Sequence, residues 1–214
     1  MRFTELKIDQ DLKFNDFYNK RIVITNAENK PLRFQIPRMY MPFGLSGFTP
    51  EIGPTKWNVD FSMNGWNEEN NYIKRFYDFI RNVEKYICDH IQENSLEIFG
   101  KSDVDVSEIF NSNIKEDTRG RDPKFRLKVD TDQYNKIKPN IYDINENNLT
   151  NTAEKGLYSQ QSGVALVELS SVYFLNKKCG LTWKMCQMKV YEPQRLHGLQ
   201  IETDVELKGF QIQI

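Results

Sequence analysis

The tightest constraint on what this chain can fold into is strict two-residue alternation, repeated in stretches far apart along the sequence. In KWNVDFSM, Trp57, Val59, Phe61 and Met63 fall on one side and Lys56, Asn58, Asp60 and Ser62 on the other. In KFRLKVD, Phe125, Leu127 and Val129 oppose Lys124, Arg126 and Lys128. LRFQI sets Leu32, Phe34 and Ile36 against Arg33 and Gln35, and Phe210, Ile212 and Ile214 repeat the pattern near the end. Successive side chains of a strand point to opposite faces, so each stretch reads as a strand with one buried and one solvated side. Residues 163–175 are apolar on both faces for much of their length, which predicts a central strand. A short early strand is expected at 21–25, turning at 26–31.

One segment has helical spacing instead. Over residues 70–92, Ile73, Phe76, Tyr77, Ile80, Val83, Ile87 and Ile91 recur three, four and seven apart. Asn67 is a suitable N-cap, and Glu68 and Glu69 suit the positive end of the helix dipole. A shorter helix is expected around 106–110, with Ser107 as its cap. Residues 138–162 are rich in Asn and poor in core-type side chains, and read as a long mobile loop. The resulting class is mainly β with one long α-helix, a curved antiparallel sheet or small barrel with the helix packed on it. There is no internal repeat and no composition shift that marks a boundary, so residues 1–214 read as one domain with an insertion near 138–162.

Several function classes lose support at the residue level. Gly100-Lys101-Ser102 would close a phosphate-binding loop only if position 95 were glycine, and it is Ser95. Gly44-Leu45-Ser46-Gly47 lacks the closing glycine of a nucleophile elbow, because Phe48 follows. Asp103, Asp105 and Ser107 open like a calcium loop, but Glu108 and Ile114 stand where glycine and glutamate belong. Cys88 and His90 are two apart on a helix and diverge around it, and His197 sits in a turn-like RLHG. Cys179 and Cys186 miss the usual metal and redox spacings, so Cys186 is expected to pack inward beside Met188 and Val190, and Cys179 to lie at a turn before Gly180. No catalytic residue, cofactor or metal is expected, and the chain reads as a non-enzyme.

The formal net charge of −1 gives no overall attraction to nucleic acid, but its distribution is uneven. Residues 68–116 carry eleven acidic and six basic side chains, whereas 174–191, FLNKKCGLTWKMCQMKVY, carry four lysines and no acid. The charged start lacks a signal-peptide core, and the three cysteines are an odd number, so an intracellular setting is expected, with no membrane association.

Rings interleaved with cations on a strand face are what sequence-tolerant binding of single strands needs, because every base has a flat face and every nucleotide a phosphate. Lys124, Arg126 and Lys128 stand on one side of their strand. In residues 181–191, strict alternation puts Trp183, Gln187, Lys189 and Tyr191 together on the side away from the core. Arg38, Tyr40 and Phe43, around Pro37 and Pro42, are expected on an edge or loop with exposed rings. Arg33, Lys177 and Lys178 complete the candidate nucleic-acid-binding set. The structural alternative is a β-sandwich interaction module, associating through a strand edge such as 210–214.

The order of a strand, FQIPRMYMPFGLSGF, KWNVDFSMNG, the long helix, KFRLKVD and finally VYFLNKKCGLTWKMCQMKVY resembles the OB-fold single-stranded-DNA-binding proteins of large nucleocytoplasmic DNA viruses. Those proteins are similar to the replication single-strand binders of certain bacteriophages. The likeness rests on QIPRMYMPFGL and on the strand pair at 176–191, with Gly180 before a Trp-containing strand. It implies a five-stranded OB-like barrel and a groove drawing on Arg38, Tyr40, Phe43, Lys124, Arg126, Trp183, Lys189 and Tyr191. It also implies a part in viral DNA replication, recombination or repair, in the host cytoplasm or the virion. Single-stranded DNA is the expected partner, with RNA as the other candidate, besides self-association and replication proteins. Phage members end in an acidic tail, and this chain ends KGFQIQI instead.

Overall fold

The alternating segments form strands, and the strands close into a ring. The computed structural model describes residues 1–149 and 151–193. A 3₁₀ turn at Phe3–Glu5 and a short helix α1 (Ile8–Asp11) lead into β1 (Lys13–Tyr18), β2 (Arg21–Thr25), β3 (Leu32–Gln35), β4 (Met39–Met41), β5 (Leu45–Phe48) and β6 (Lys56–Ser62). Then come α2 (Tyr72–Glu93), α3 (Ser95–Phe99), α4 (Val106–Ile109), β7 (Phe110–Asn111), β8 (Ile114–Lys115) and β9 (Lys124–Val129). The described chain closes with β10 (Asn140–Tyr142), β11 (Gln161–Leu175) and β12 (Lys178–Tyr191).

Five of these strands make the barrel. β4 pairs with β6, β6 with β9, β9 with β12, β12 with β11, and β11 returns to β4. All contacts are antiparallel except the closing one, where Lys184 of β12 meets Lys128 of β9 in parallel. In chain order the ring runs 1-2-3-5-4 and back to 1, the OB-like arrangement expected, with α2 in the connection between its second and third strands.

The ring shuts because its inner face is apolar on every strand. Phe61, Phe125, Val167, Leu169, Trp183 and Met188 are buried there. Glycine is needed where the wall is tightest. A Cβ on Gly163 would lie 3.2 Å from both Met41 and Met188 and 3.3 Å from Phe61. β3 extends the wall by pairing with β11, and Phe34 reaches the Trp183 ring at 5.6 Å, edge to face.

α2 begins later than the acidic pair suggested. Its N-cap is Asn71, whose side-chain oxygen accepts from the Ile73 N–H at 2.8 Å, so Glu68 and Glu69 lie outside the helix. The spacing does fix which face is buried: Phe76, Ile80, Val83, Ile87 and Ile91. Phe76 meets Phe125 of the barrel at 5.4 Å. Glu84 is the exception on that face. It accepts from the Ser112 hydroxyl at 2.8 Å and the Asn113 N–H at 2.9 Å, tying helix to barrel wall. Burial raises its carboxyl above the usual carboxylate range, against the pull of those donors. The cap of α4 is Asp105, which accepts from the Ser107 N–H, rather than Ser107 itself.

The Asn-rich segment departs furthest from expectation. Three of its residues form β10, which lies parallel to β12 with Ile141 fully buried. Ala153 and Tyr158 are also buried. The chain at 156–159 lies directly on Gly44, whose left-handed φ of +60° leaves no room for a side chain, since a Cβ would meet the Leu157 carbonyl at 2.2 Å. Backbone hydrogen bonds from Leu45 N to Leu157 O and from Gly156 N to Leu45 O pin this segment to β5. The expected strand at 210–214 and the turn at His197 lie outside the described residues.

Candidate nucleic-acid interface

The outer face of the ring is organised in rows that run across the strands. Paired residues share a face, so the register places Tyr191, Ser162, Tyr40, Ser62 and Lys124 side by side over β12, β11, β4, β6 and β9. Tyr40 is 45% exposed. Arg38 lays its guanidinium over the Tyr191 ring, 4.0 Å from the centroid, and has no carboxylate within salt-bridge distance among the described residues. At the other end of the row, Lys124 Nζ lies 5.7 Å from the centre of the half-exposed Phe43 ring. Residues from the 38–43 segment, β9 and the end of β12 thus meet on one surface.

Beside Tyr191 the rows continue along β11 and β12. Val164 lies level with Lys189, and Leu166 with Gln187 on one side and Gln35 of β3 on the other. These side chains floor a groove of about 450 Å³, with Tyr142 of β10 and Glu146 on its far side. A second groove of about 650 Å³ opens on the other side of Tyr191 and Arg38, lined by Asp143, Leu149, Tyr158 and Gln161. Gln187 and Lys189 therefore stand where strict alternation placed them.

Trp183 does not. It is 1% exposed and fills the barrel, edge to face with Phe34 and with Phe125 at 5.5 Å. The cause is a β-bulge. Leu166 pairs with Gln187 but Val167 pairs with Met185, so Cys186 is an extra residue on β12. Alternation slips by one at that point. Trp183 and Met185 share the inner face with Met188 and Val190, while Cys186 turns outward, its thiol 3.9 Å from a Glu168 carboxylate oxygen. Cys179 is in the strand opposite Phe174, fully buried, and the turn is at Asn176-Lys177, both with left-handed φ. Burial pushes the Cys179 thiol up to about 11 and that of Cys88 up to about 12, so both stay protonated at neutral pH.

The other candidate cations lie apart from the row or are engaged. Arg33 binds Glu168 at 2.8 Å, in the next outer-face row beyond Leu166 of the groove floor. Arg126 makes a two-pronged pair with Asp60, at 2.7 and 2.8 Å, and this raises the guanidinium pKa. Lys128 binds Asp130 at 2.7 Å, and Lys124 lies 3.5 Å from Asp117. Beside them Lys115 is half-buried, its pKa lowered first by desolvation and then by Arg126. Lys177 and Lys178 are at the β11–β12 turn, roughly 40 Å along the strand from Tyr191 by strand rise. Tyr142 is the aromatic groove residue that sequence reasoning missed, because three strand residues in an Asn-rich stretch leave no periodic signal.

Among the described residues no group of three His, Cys, Asp or Glu side chains is placed to hold a metal ion. No helix among them is long and apolar enough to cross a membrane.

No protein-family model matches the chain, and no curated protein matches it. Among solved structures, it is similar to the single-stranded DNA-binding protein of bacteriophage Enc34 in complex with ssDNA, at 10% identity and a TM-score of 0.44, over 87% of this chain and 98% of that one. It is also similar to gp2.5, a single-stranded DNA-binding protein encoded by bacteriophage T7, at 11% identity and a TM-score of 0.48, over 80% of this chain and 98% of that one. Both come from bacteriophages, not from large DNA viruses.

Proposed function

We propose that this chain binds single-stranded DNA largely independently of sequence and without catalysis, protecting it during replication, recombination or repair of a viral genome. The observation that carries this reading is the outer-face row holding Tyr191, Tyr40 and Lys124, with Arg38 over the Tyr191 ring at one end and Phe43 beside Lys124 at the other. Rings in that setting stack on bases for roughly 1–3 kcal/mol each, and the cations follow the phosphates. The surface is built from three separate parts of the sequence and is open along its length, which suits a flexible chain better than a small molecule. Sequence tolerance follows from the chemistry: stacking on a ring and pairing with a phosphate are available to all four nucleotides.

Fluorescence anisotropy with single- and double-stranded oligonucleotides across a salt series tests the reading. Binding to single strands should exceed binding to duplex, weaken as salt rises, and change little with base composition. Tyr191→Ala should lower affinity by about tenfold or more while leaving thermal unfolding close to wild type. Equal, salt-insensitive signals for single strand and duplex would reject single-strand binding.

A further inference from the structure

β10 and the residues after it form an arm that rises along the groove. Asn140, Ile141 and Tyr142 lie parallel to Gln187, Met188 and Lys189 of β12, and Leu149 N donates to Ile141 O at 2.7 Å to bring the chain back. Asp143 rigidifies the tip, its side chain accepting from Asn145 N at 2.8 Å and Asn147 N at 2.9 Å. The arm is therefore folded structure, with Ile141 buried as its anchor and Tyr142 turned to the groove. Among the described residues its one ionic contact with the floor is Glu146 to Lys189 at 3.3 Å, with the Glu146 side chain 81% exposed.

The spacing of the two rings is informative. Tyr142 is level with Lys189, two residues before Tyr191 on the adjacent strand. Strand spacing and rise put their backbones roughly 8 Å apart. Two rings that hold one flat base between them need about twice the 3.4 Å stacking rise, so the separation suits a single base. Below it lie Val164 and Leu166, an apolar floor, with Gln187 and Gln35 flanking Leu166.

Resting on the single-strand reading, we propose that Tyr142 is a second base platform: one nucleobase seats between Tyr142 and Tyr191 over Val164 and Leu166, and its phosphate takes Lys189 from Glu146. The exchange is easy because an exposed ion pair of this kind is worth only about 0–1 kcal/mol. The arm also makes the seat narrow. A base can enter only when it is unpaired, so Tyr142 adds to the preference for single strands over duplex. The amides of Gln187 and Gln35 can meet the base edge with either donor or acceptor, which keeps the seat tolerant of base identity.

Three substitutions test the seat in the full chain with a fluorescent oligothymidylate. Tyr142→Leu keeps bulk but removes the ring, and should cut affinity about tenfold. Tyr142→Phe keeps the ring and should restore binding to within about twofold of wild type. Glu146→Gln releases Lys189 and should tighten binding by about two- to threefold at low salt, a gain that disappears as salt rises. If Tyr142→Leu and Glu146→Gln both bind like wild type while Tyr191→Ala is weak, the seat is wrong and the broader reading stands. If Tyr142→Phe is as weak as Tyr142→Leu, the side chain acts through packing and the stacking role is overturned. If the wild-type chain shows no preference for single strands, both ideas fall.

Discussion

On β9 three outward cations are each answered by a carboxylate, whereas one wall further round Arg38 rests on a ring and Tyr40 stands open to solvent. In sequence the two regions look equally suited to a phosphate backbone. KFRLKVD is the more basic of the two. In the folded chain Asp60, a strand partner, holds Arg126 from below, and Asp117 and Asp130 hold its neighbours from the strand's two ends. A cation advertises a binding site only to the extent that the fold leaves its charge uncompensated.

Three changes would break or sharpen that contrast, the largest first. Arg126→Ala strands Asp60, whose side chain is only 7% exposed, and should cost about 2 kcal/mol of stability. That figure is reduced from the cost of a fully buried pair because Arg126 itself is partly in solvent. Denaturant unfolding measures it, and DNA affinity of the folded protein should stay within about twofold of wild type. Arg38→Ala should do the reverse, lowering affinity about tenfold and flattening the slope of log affinity against log salt by about 0.7–1, with stability nearly unchanged. Equal loss of binding in both variants would put Arg126 on the binding face and end the contrast. The smallest effect belongs to Asp117→Asn, which frees Lys124 beside Phe43 and should tighten binding about twofold at low salt.

What the sequence disclosed and what it hid follow from the range of the signal. Alternation around Trp57 and Phe125 identified β6 and β9 and the face each buries, because burial on one side of a pleated strand imposes that pattern directly. Trp57 took its expected place in the core, its indole N–H donating to Asn135 Oδ1 at 2.8 Å. The seven-residue recurrence of apolar side chains likewise marked the buried face of α2. The direction of Trp183 was hidden, because a bulge depends on pairing with a partner strand and has no compositional signature of its own. β10 was hidden for a related reason. It is too short to show a period, and it is held by β12 and by the burial of Ile141, contacts that arise only after the barrel has closed. The ion pairs on β9 were invisible because they depend on which carboxylates the fold brings across from other segments.

The extra residue in β12 has a consequence for how this chain can change. Upstream of Cys186 the odd-numbered side chains, Trp183 and Met185, fill the barrel, and downstream the even-numbered ones, Met188 and Val190, do so. Cys186 thus works as a phase shifter: it and Gln187 both point outward in succession before the alternation resumes. Flattening the bulge with every residue kept would force a choice: keep Trp183 inside and turn Tyr191 and Lys189 into the core, or keep them outside and expel the tryptophan. Substitution at 186 should be cheap, and deletion of Cys186, which joins Met185 to Gln187 in regular register, should leave Trp183 and Tyr191 on their present faces. In a diverging lineage the thiol would be free to drift, and the extra residue could be lost without reversing either half of the strand.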